Sequence, residues 1–205
     1  MTTSIRQAVD SDLPTVVELW NAAQKWLSEI GQDQWQYPVK TDGICSAIAD
    51  KTCWLVQDGV GSVLATVTLD DYADPKLWTP DDVPTDAAYL HRLVVRSGAR
   101  GEGLGSAILD WASKEAMRAG KTWVRLDAWT NNTKLHDYYR HMGFEAVRVV
   151  NAGGVQSGAL FQRLAGVTRG EGPAISYRSA GETGVYETAA NTAIKELKAG
   201  DSVSG

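Results

Sequence analysis

Cysteine, histidine and long apolar runs are all scarce in this chain. Only Cys45 and Cys53 occur among 205 residues, too few and too casually spaced for a disulfide framework or a zinc site. Both are expected as reduced thiols of a cytoplasmic protein. Of three histidines, His136 and His141 lie five apart and so off a common helical face, and no metal set emerges. No apolar stretch approaches the length that spans a bilayer, and the first residues, Met1 to Gln7, lack the apolar core of a signal peptide. Basic runs are missing too. The formal charge is −5, which argues against a nucleic-acid partner and suits a cationic substrate. A Gly-x-Ser-x-Gly elbow is absent as well, which sets a serine hydrolase aside.

What is present is a patterned α/β chain. A short strand is expected at Ile5–Val9. Asp10-Ser11-Asp12 then offers capping side chains to a helix whose apolar positions run Leu13, Val16, Val17, Trp20, Ala23, Leu27, stopped at Gly31. A shorter helix is expected around Ile44–Ala49. Strands at Thr52–Gln57 and Ser62–Leu69 flank the turn Asp58-Gly59-Val60-Gly61, a hairpin signal. After an acidic loop, Asp70–Asp86, a fourth strand (Ala88–Val95) enters a glycine-rich loop. A strongly amphipathic helix follows from Leu104, ended by Gly120. Trp123–Ala128 reads as a fifth strand, Thr133–His141 as a helix, and Phe144–Val150 with Gly158–Leu164 as a closing pair. The fourth and fifth strands flank a helix, so they are expected to be parallel neighbours. From Ala165 small and polar residues predominate. Residues 1–165 therefore read as one domain, and 166–205 as an extension, partly helical (Glu187–Lys198) or disordered, that docks loosely or pairs with another subunit.

The loop Arg100-Gly101-Glu102-Gly103-Leu104-Gly105 carries the chemistry. Alternating glycines let the backbone turn its amides toward an anion at a helix N-terminus. Arg100 adds a cation and Ser106 a hydroxyl. A Walker loop is excluded because no lysine follows Gly105. A dinucleotide fold remains a rival on the loop alone. Its spacing, Gly-x-Gly-x-Gly, is wrong for that fold, but Asp127 follows roughly 20 residues on, where a ribose-binding acid belongs.

The run Val95 to Gly105 resembles motif A of the GCN5-related N-acetyltransferase (GNAT) superfamily. Asn132-Thr133-Lys134-Leu135-His136-Asp137-Tyr138-Tyr139-Arg140-His141-Met142-Gly143-Phe144 resembles its motif B. The resemblance implies a central mixed, mostly antiparallel sheet, flanked by helices, whose parallel fourth and fifth strands splay around acetyl-CoA. By the same resemblance, backbone groups of Leu93, Val94 and Val95 hold the pantetheine and Arg100–Ser106 the pyrophosphate. Asn132 contacts the pantetheine. Tyr139, four residues before Gly143, stands near the sulfur as proton donor. Its neighbour Tyr138 is read as packing.

Acetyl transfer to an amine needs a base, donors for the developing oxyanion, and an acid for the leaving thiolate. Alternation places Tyr89, His91, Leu93 and Val95 on one strand face. His91 is the base candidate, in a segment that resembles arylalkylamine acetyltransferases; Glu29, Asp33 and Asp127 are lesser candidates. Trp26, Glu29, Trp35, Tyr89, Asp127 and Trp129 are the expected acceptor wall, aromatic and acidic as a cationic amine requires. The expected activity is acetyl transfer from acetyl-CoA to a primary amine of a small molecule, a metabolite or antibiotic. The alternatives are a protein or peptide acetyltransferase, with the acidic loop as its groove, and a non-catalytic acyl-CoA-binding regulatory module. Homodimers are common in the superfamily, and one is allowed for here.

Overall fold

The computed structural model describes residues 3–151 and 156–177. The elements in order are β1 (Thr3–Gln7), α1 (Leu13–Glu29), α2 (Thr41–Ala49), β2 (Cys53–Gln57), β3 (Val63–Asp70), β4 (Ala87–Val95), α3 (Leu104–Arg118), β5 (Trp123–Ala128), α4 (Thr133–His141), β6 (Glu145–Val149), β7 (Ala159–Leu164) and β8 (Ile175–Tyr177). The strands form one sheet in the order β6-β7-β5-β4-β3-β2-β1-β8. Neighbours are antiparallel except β4–β5 and β1–β8, which are parallel.

Helical periodicity decides what each face of the sheet meets. Leu104, Ile108, Leu109, Ala112 and Ala116 form the buried stripe of α3. They pack with Val56, Ala65, Val67, Leu90, Val124 and Phe161, and with Tyr139 of α4, on one face. On the other, Val16, Leu19, Trp20 and Ala23 of α1 join Ile44 and Ile48 of α2 against Leu55 and Val94. A third cluster, Leu77, Trp78, Ala87, Tyr89 and Leu160, lies under the acidic loop. Each large side chain so buried contributes about 1.5–3 kcal/mol, so both faces are closed by side chains that the sequence periodicity identifies.

Three expectations change. The first concerns β4. Against β3 it pairs Ala65 with Val95 and Thr66 with Val94, but Thr68 with His91. One residue of β3 thus opposes two of β4, a β-bulge, and Arg92 at that point has φ 53°. The extra residue inverts the alternation. Ala88 and Leu90 face α3, as do Leu93 and Val95 beyond the bulge, while Val94 faces α1 and α2. Tyr89 and His91 therefore do not share a face with Leu93 and Val95; His91 and Arg92, adjacent in sequence, both project toward α1 and α2.

Second, Asp12 does not cap α1. Its carboxylate is taken by the Arg6 guanidinium at 2.6 and 2.8 Å and by the Val9 amide. Third, the described part of the tail returns to the sheet. Asp110 accepts the backbone amides of Arg169 and Gly170, and β8 pairs with β1. Trp111 donates to the Tyr177 hydroxyl at 3.0 Å. The helix expected at Glu187–Lys198 lies outside the described residues, as do residues 152–155 of the loop between β6 and β7. The two cysteines carry free thiols, Cys45 exposed and Cys53 buried.

Candidate active site

β4 and β5 pair only at Ala87–Trp123, Ala88–Val124 and Tyr89–Arg125. From His91 to Val95 the β5 edge of β4 has no ladder partner, so its backbone N–H and C=O groups face a cleft of about 1700 Å³. The cleft runs from the glycine loop to the α1–α2 connection. The sheet alone creates this opening: two parallel strands begin paired and then part.

At one end stands the N-terminus of α3. Gly101 (φ 83°) and Gly103 (φ 71°) adopt the left-handed backbone that bends the loop around it. A Cβ on Gly105 would lie 2.7 Å from the Tyr138 hydroxyl, so glycine is needed there for that ring to close over the loop. Arg100 stacks 3.9 Å over the Trp26 indole and donates through Nε to the Val95 carbonyl at 3.3 Å. Among the described residues its Nη1 and the Ser106 hydroxyl are buried without a hydrogen-bond partner, and burial pulls the Arg100 pKa down. A buried polar group left unmatched costs about 1–3 kcal/mol. Two of them at an amide-rich helix start form a cradle that a phosphate would complete. A diphosphate-bearing cofactor fits these residues.

Toward the α1–α2 side, His91 sits between two carboxylates. Its Nε2 lies 3.3 Å from Asp70 and its Nδ1 3.7 Å from Asp127. The Nε2 contact is close in distance but not aligned as a hydrogen bond. Burial pulls the imidazolium pKa down, but Asp127 and Asp70 outweigh it and raise the pKa to about 9. The ring is thus a cation at neutral pH, and the cluster carries one net negative charge. The Tyr89 ring stacks on His91 at 6.4 Å. Its hydroxyl, though, donates to the Pro84 carbonyl, and the residue is fully buried in the cluster under the acidic loop.

Tyr139 is 7% exposed and packs edge-on against Phe144, with Phe161 and Tyr138 beside it. It lines the cleft, and burial pushes its phenol far above the ordinary range. Tyr138 is pushed up to about 12, again mainly by burial, with Glu171 adding to the rise. It also lines the cleft and covers Gly105, so its place is at the loop rather than in packing alone.

The α1–α2 connection is pinned across the cleft mouth. Trp129 Nε1 donates to Asp33 at 2.7 Å and Asn132 Nδ2 to Gln34 at 2.8 Å. Gln24 donates to the carbonyls of Trp35 and Tyr37, and the Trp35 ring packs tilted against Trp20 with centroids 4.5 Å apart. Asn132 also caps α4, its Oδ1 accepting from the Leu135 amide. His136 is structural: its Nε2 contacts the Trp129 carbonyl.

Among the residues expected at the site, all but five line this one cleft. Tyr89 and Leu104 are buried in the core, Glu29 and Glu102 are exposed and off the lining, and Asp33 is off the lining too, bonded to the Trp129 indole. Sequence reasoning overlooked Asp70, taken only as the start of a loop, and Arg92. The adjacent polar pair His91-Arg92 inside an apolar strand was the available sign of a bulge. Among the described residues no group of His, Cys, Asp and Glu could hold a metal, and no helix is long and apolar enough to cross a membrane.

The sequence profile of the Acetyltransferase (GNAT) family matches residues 15–144, from α1 through the glycine loop to the end of α4. The chain belongs to the GNAT acetyltransferase family. It is 31% identical over 143 residues to YesJ of Bacillus subtilis (strain 168), an uncharacterised N-acetyltransferase, covering 67% of this chain and 79% of that one. A GNAT acetyltransferase from Listeria monocytogenes shares the fold with a TM-score of 0.67 and 22% identity, over 79% of this chain and 94% of that one. The PaiA N-acetyltransferase of Thermoplasma acidophilum, solved with coenzyme A, shares it with a TM-score of 0.60 and 17% identity, over 80% and 99%. The enzyme is therefore an acyltransferase of a family that uses acetyl-CoA, in keeping with the unmatched Arg100 and Ser106 groups.

Proposed function

We propose that this GNAT enzyme transfers an acetyl group from acetyl-CoA to a primary amine of a small molecule in the cleft between β4 and β5. One observation carries the reading: a single continuous cleft joins the anion-ready loop to the acidic Asp70–His91–Asp127 cluster. Bound acetyl-CoA supplies the activated acyl group as a thioester. The amides of Gly101, Gly103 and Gly105, with Arg100 and Ser106, hold the pyrophosphate. The unpaired edge of β4 at Leu93, Val94 and Val95 holds the pantetheine, and Asn132 fixes the α1–α2 connection beside it through Gln34. An amide on that edge is a fixed donor for negative charge at the carbonyl.

Tyr139 keeps its proton at neutral pH and serves as a hydrogen-bond donor to the sulfur that leaves. Its raised pKa makes complete transfer uphill against a thiol near 8.5, so the proton released by the attacking nitrogen completes the exchange. The net negative charge of the Asp70–His91–Asp127 cluster draws a cationic amine, and the neutral fraction of His91, which grows toward pH 9, accepts its proton. Trp26, Trp35 and Trp129 supply the apolar wall. Free thiol release from acetyl-CoA, measured over amines, aminoglycosides and basic peptides, tests the proposal. Turnover with small amines supports it; turnover confined to peptides replaces the acceptor class; failure to bind acetyl-CoA removes it.

A further inference from the structure

The bulge in β4 places a cation where an acceptor must pass. Because Leu90 and Leu93 both face α3, the two residues between them share the opposite face, and His91 and Arg92 enter the cleft side by side. Arg92 takes φ 53° to do so, a left-handed conformation that a side-chain-bearing residue adopts only at a cost. Its Nη2 would stand 2.9 Å from a Cβ on Gly43 of α2, so the absence of a side chain at Gly43 leaves the guanidinium its room. Among the described residues Arg92 forms no ion pair, although Asp50 and Asp74 also line the cleft. A second cation, Lys40, approaches the same region over the Tyr37 ring at 6.0 Å. Tyr37 links the two charged zones. Burial raises its phenol, Arg92 pulls it down and Asp127 pushes it up, so both charges act on one hydroxyl.

The acceptor half of the cleft is thus bipolar. Asp70, His91 and Asp127 leave one negative charge, while Arg92 and Lys40 bring positive charge that no ion pair among the described residues engages. A simple alkylamine would use the first and leave the second unanswered. We propose that the acceptor is a zwitterion, a small amino acid or other amino-carboxylate, whose ammonium lies at the Asp70–His91–Asp127 cluster and whose carboxylate is received by Arg92. A planar guanidinium matches a carboxylate through two parallel hydrogen bonds, which a lysine at this position would not do. The proposal rests on the amine-acetylation reading above and narrows it to one substrate class.

The test is thiol release from acetyl-CoA by the intact enzyme, with α-amino acids each assayed beside the corresponding carboxamide. The wild type is expected to favour the acid over the amide by about 10-fold or more in kcat/KM, chiefly through KM, as loss of a charged hydrogen bond predicts. Arg92→Gln should bring that ratio close to one while leaving KM for acetyl-CoA unchanged. Gly43→Ala is the second variant: its methyl group displaces the guanidinium without removing it, and should lower the ratio in the same direction. Wild-type turnover of amides as fast as acids, or a ratio unmoved in both variants, overturns the zwitterion proposal alone. No turnover with either member of any pair, by enzyme that acetylates other small amines, overturns this proposal alone; no turnover with any small amine, by enzyme that binds acetyl-CoA, overturns the amine reading with it.

Discussion

Asp70→Asn isolates the electrostatics of the acceptor end. His91 has its pKa raised from 6.5 to about 9 although burial opposes the charge, a net gain of roughly 3 kcal/mol for the imidazolium. That gain is what remains after the burial penalty is subtracted, so the combined pull of the two carboxylates exceeds it. With contacts of 3.3 and 3.7 Å, Coulomb's law divides the pull nearly equally. Removing Asp70 while burial persists therefore takes away more than half of the net rise. The His91 pKa should fall back toward the ordinary imidazole value, by about a unit or more. At pH 7 the neutral fraction then grows from about 1% to about 10%, and activity limited by that base rises about tenfold.

A free amine adds an alkaline limb of its own to kcat/KM, so the decisive readout is the NMR titration of the ring. With three histidines in the chain, the His91 signal is assigned by its loss in His91→Gln. The stability sign is also set. A histidine with a raised folded pKa stabilises fully below pH 6.5 and loses that contribution as pH rises through about 9. Wild type and Asp70→Asn should thus differ most in Tm near pH 6 and converge above pH 9. An unmoved ring titration in Asp70→Asn would refute the hold of the two carboxylates on His91.

Other perturbations test the remaining parts. Tyr139→Phe should reduce kcat by about 10²-fold or more, in the range typical of a lost transition-state hydrogen-bond donor, while acetyl-CoA affinity measured by calorimetry stays within about twofold. Arg100→Gln removes a charged contact worth about 1.5–3 kcal/mol and should weaken acetyl-CoA binding by about 10- to 100-fold, with Ser106→Ala weaker in the same direction. Gly103→Ala forces a side chain into a left-handed backbone and to 2.8 Å from the Gly172 Cα. It should cost at least about 1–2 kcal/mol and lower Tm by about 2 °C or more. Arg163 is 2% exposed and bonded to Asp110 and to the Met142 and Leu109 carbonyls. Arg163→Met leaves Asp110 buried and uncompensated, which should cost about 3–5 kcal/mol in urea unfolding. Exchange protection of the Arg169 and Gly170 amides should fall with it, since both donate to Asp110.

Local signals in the sequence determined a good deal. Helical spacing in Leu104–Ala116 and Val16–Leu27, the glycines that end the helices, and the strand Trp123–Ala128 all reappear in the structure, because each depends on periodicity and turn chemistry within a few residues. The Arg100–Ser106 loop was legible for the same reason: its function lies in its own backbone. What required the tertiary structure was every relation between distant segments. The bulge at Arg92 exists only relative to β3, so alternation counted along β4 placed Leu93 and Val95 on the wrong face. Asp70 and Asp127 meet His91 because β3, β4 and β5 lie side by side in the sheet, a proximity no spacing in the chain encodes. Arg163 and Asp110, 53 residues apart, and β8 beside β1 owe their places to the packed core and the sheet edge. Short-range propensity is written into consecutive residues; charge pairing, register and the opening of the cleft arise only when the sheet assembles.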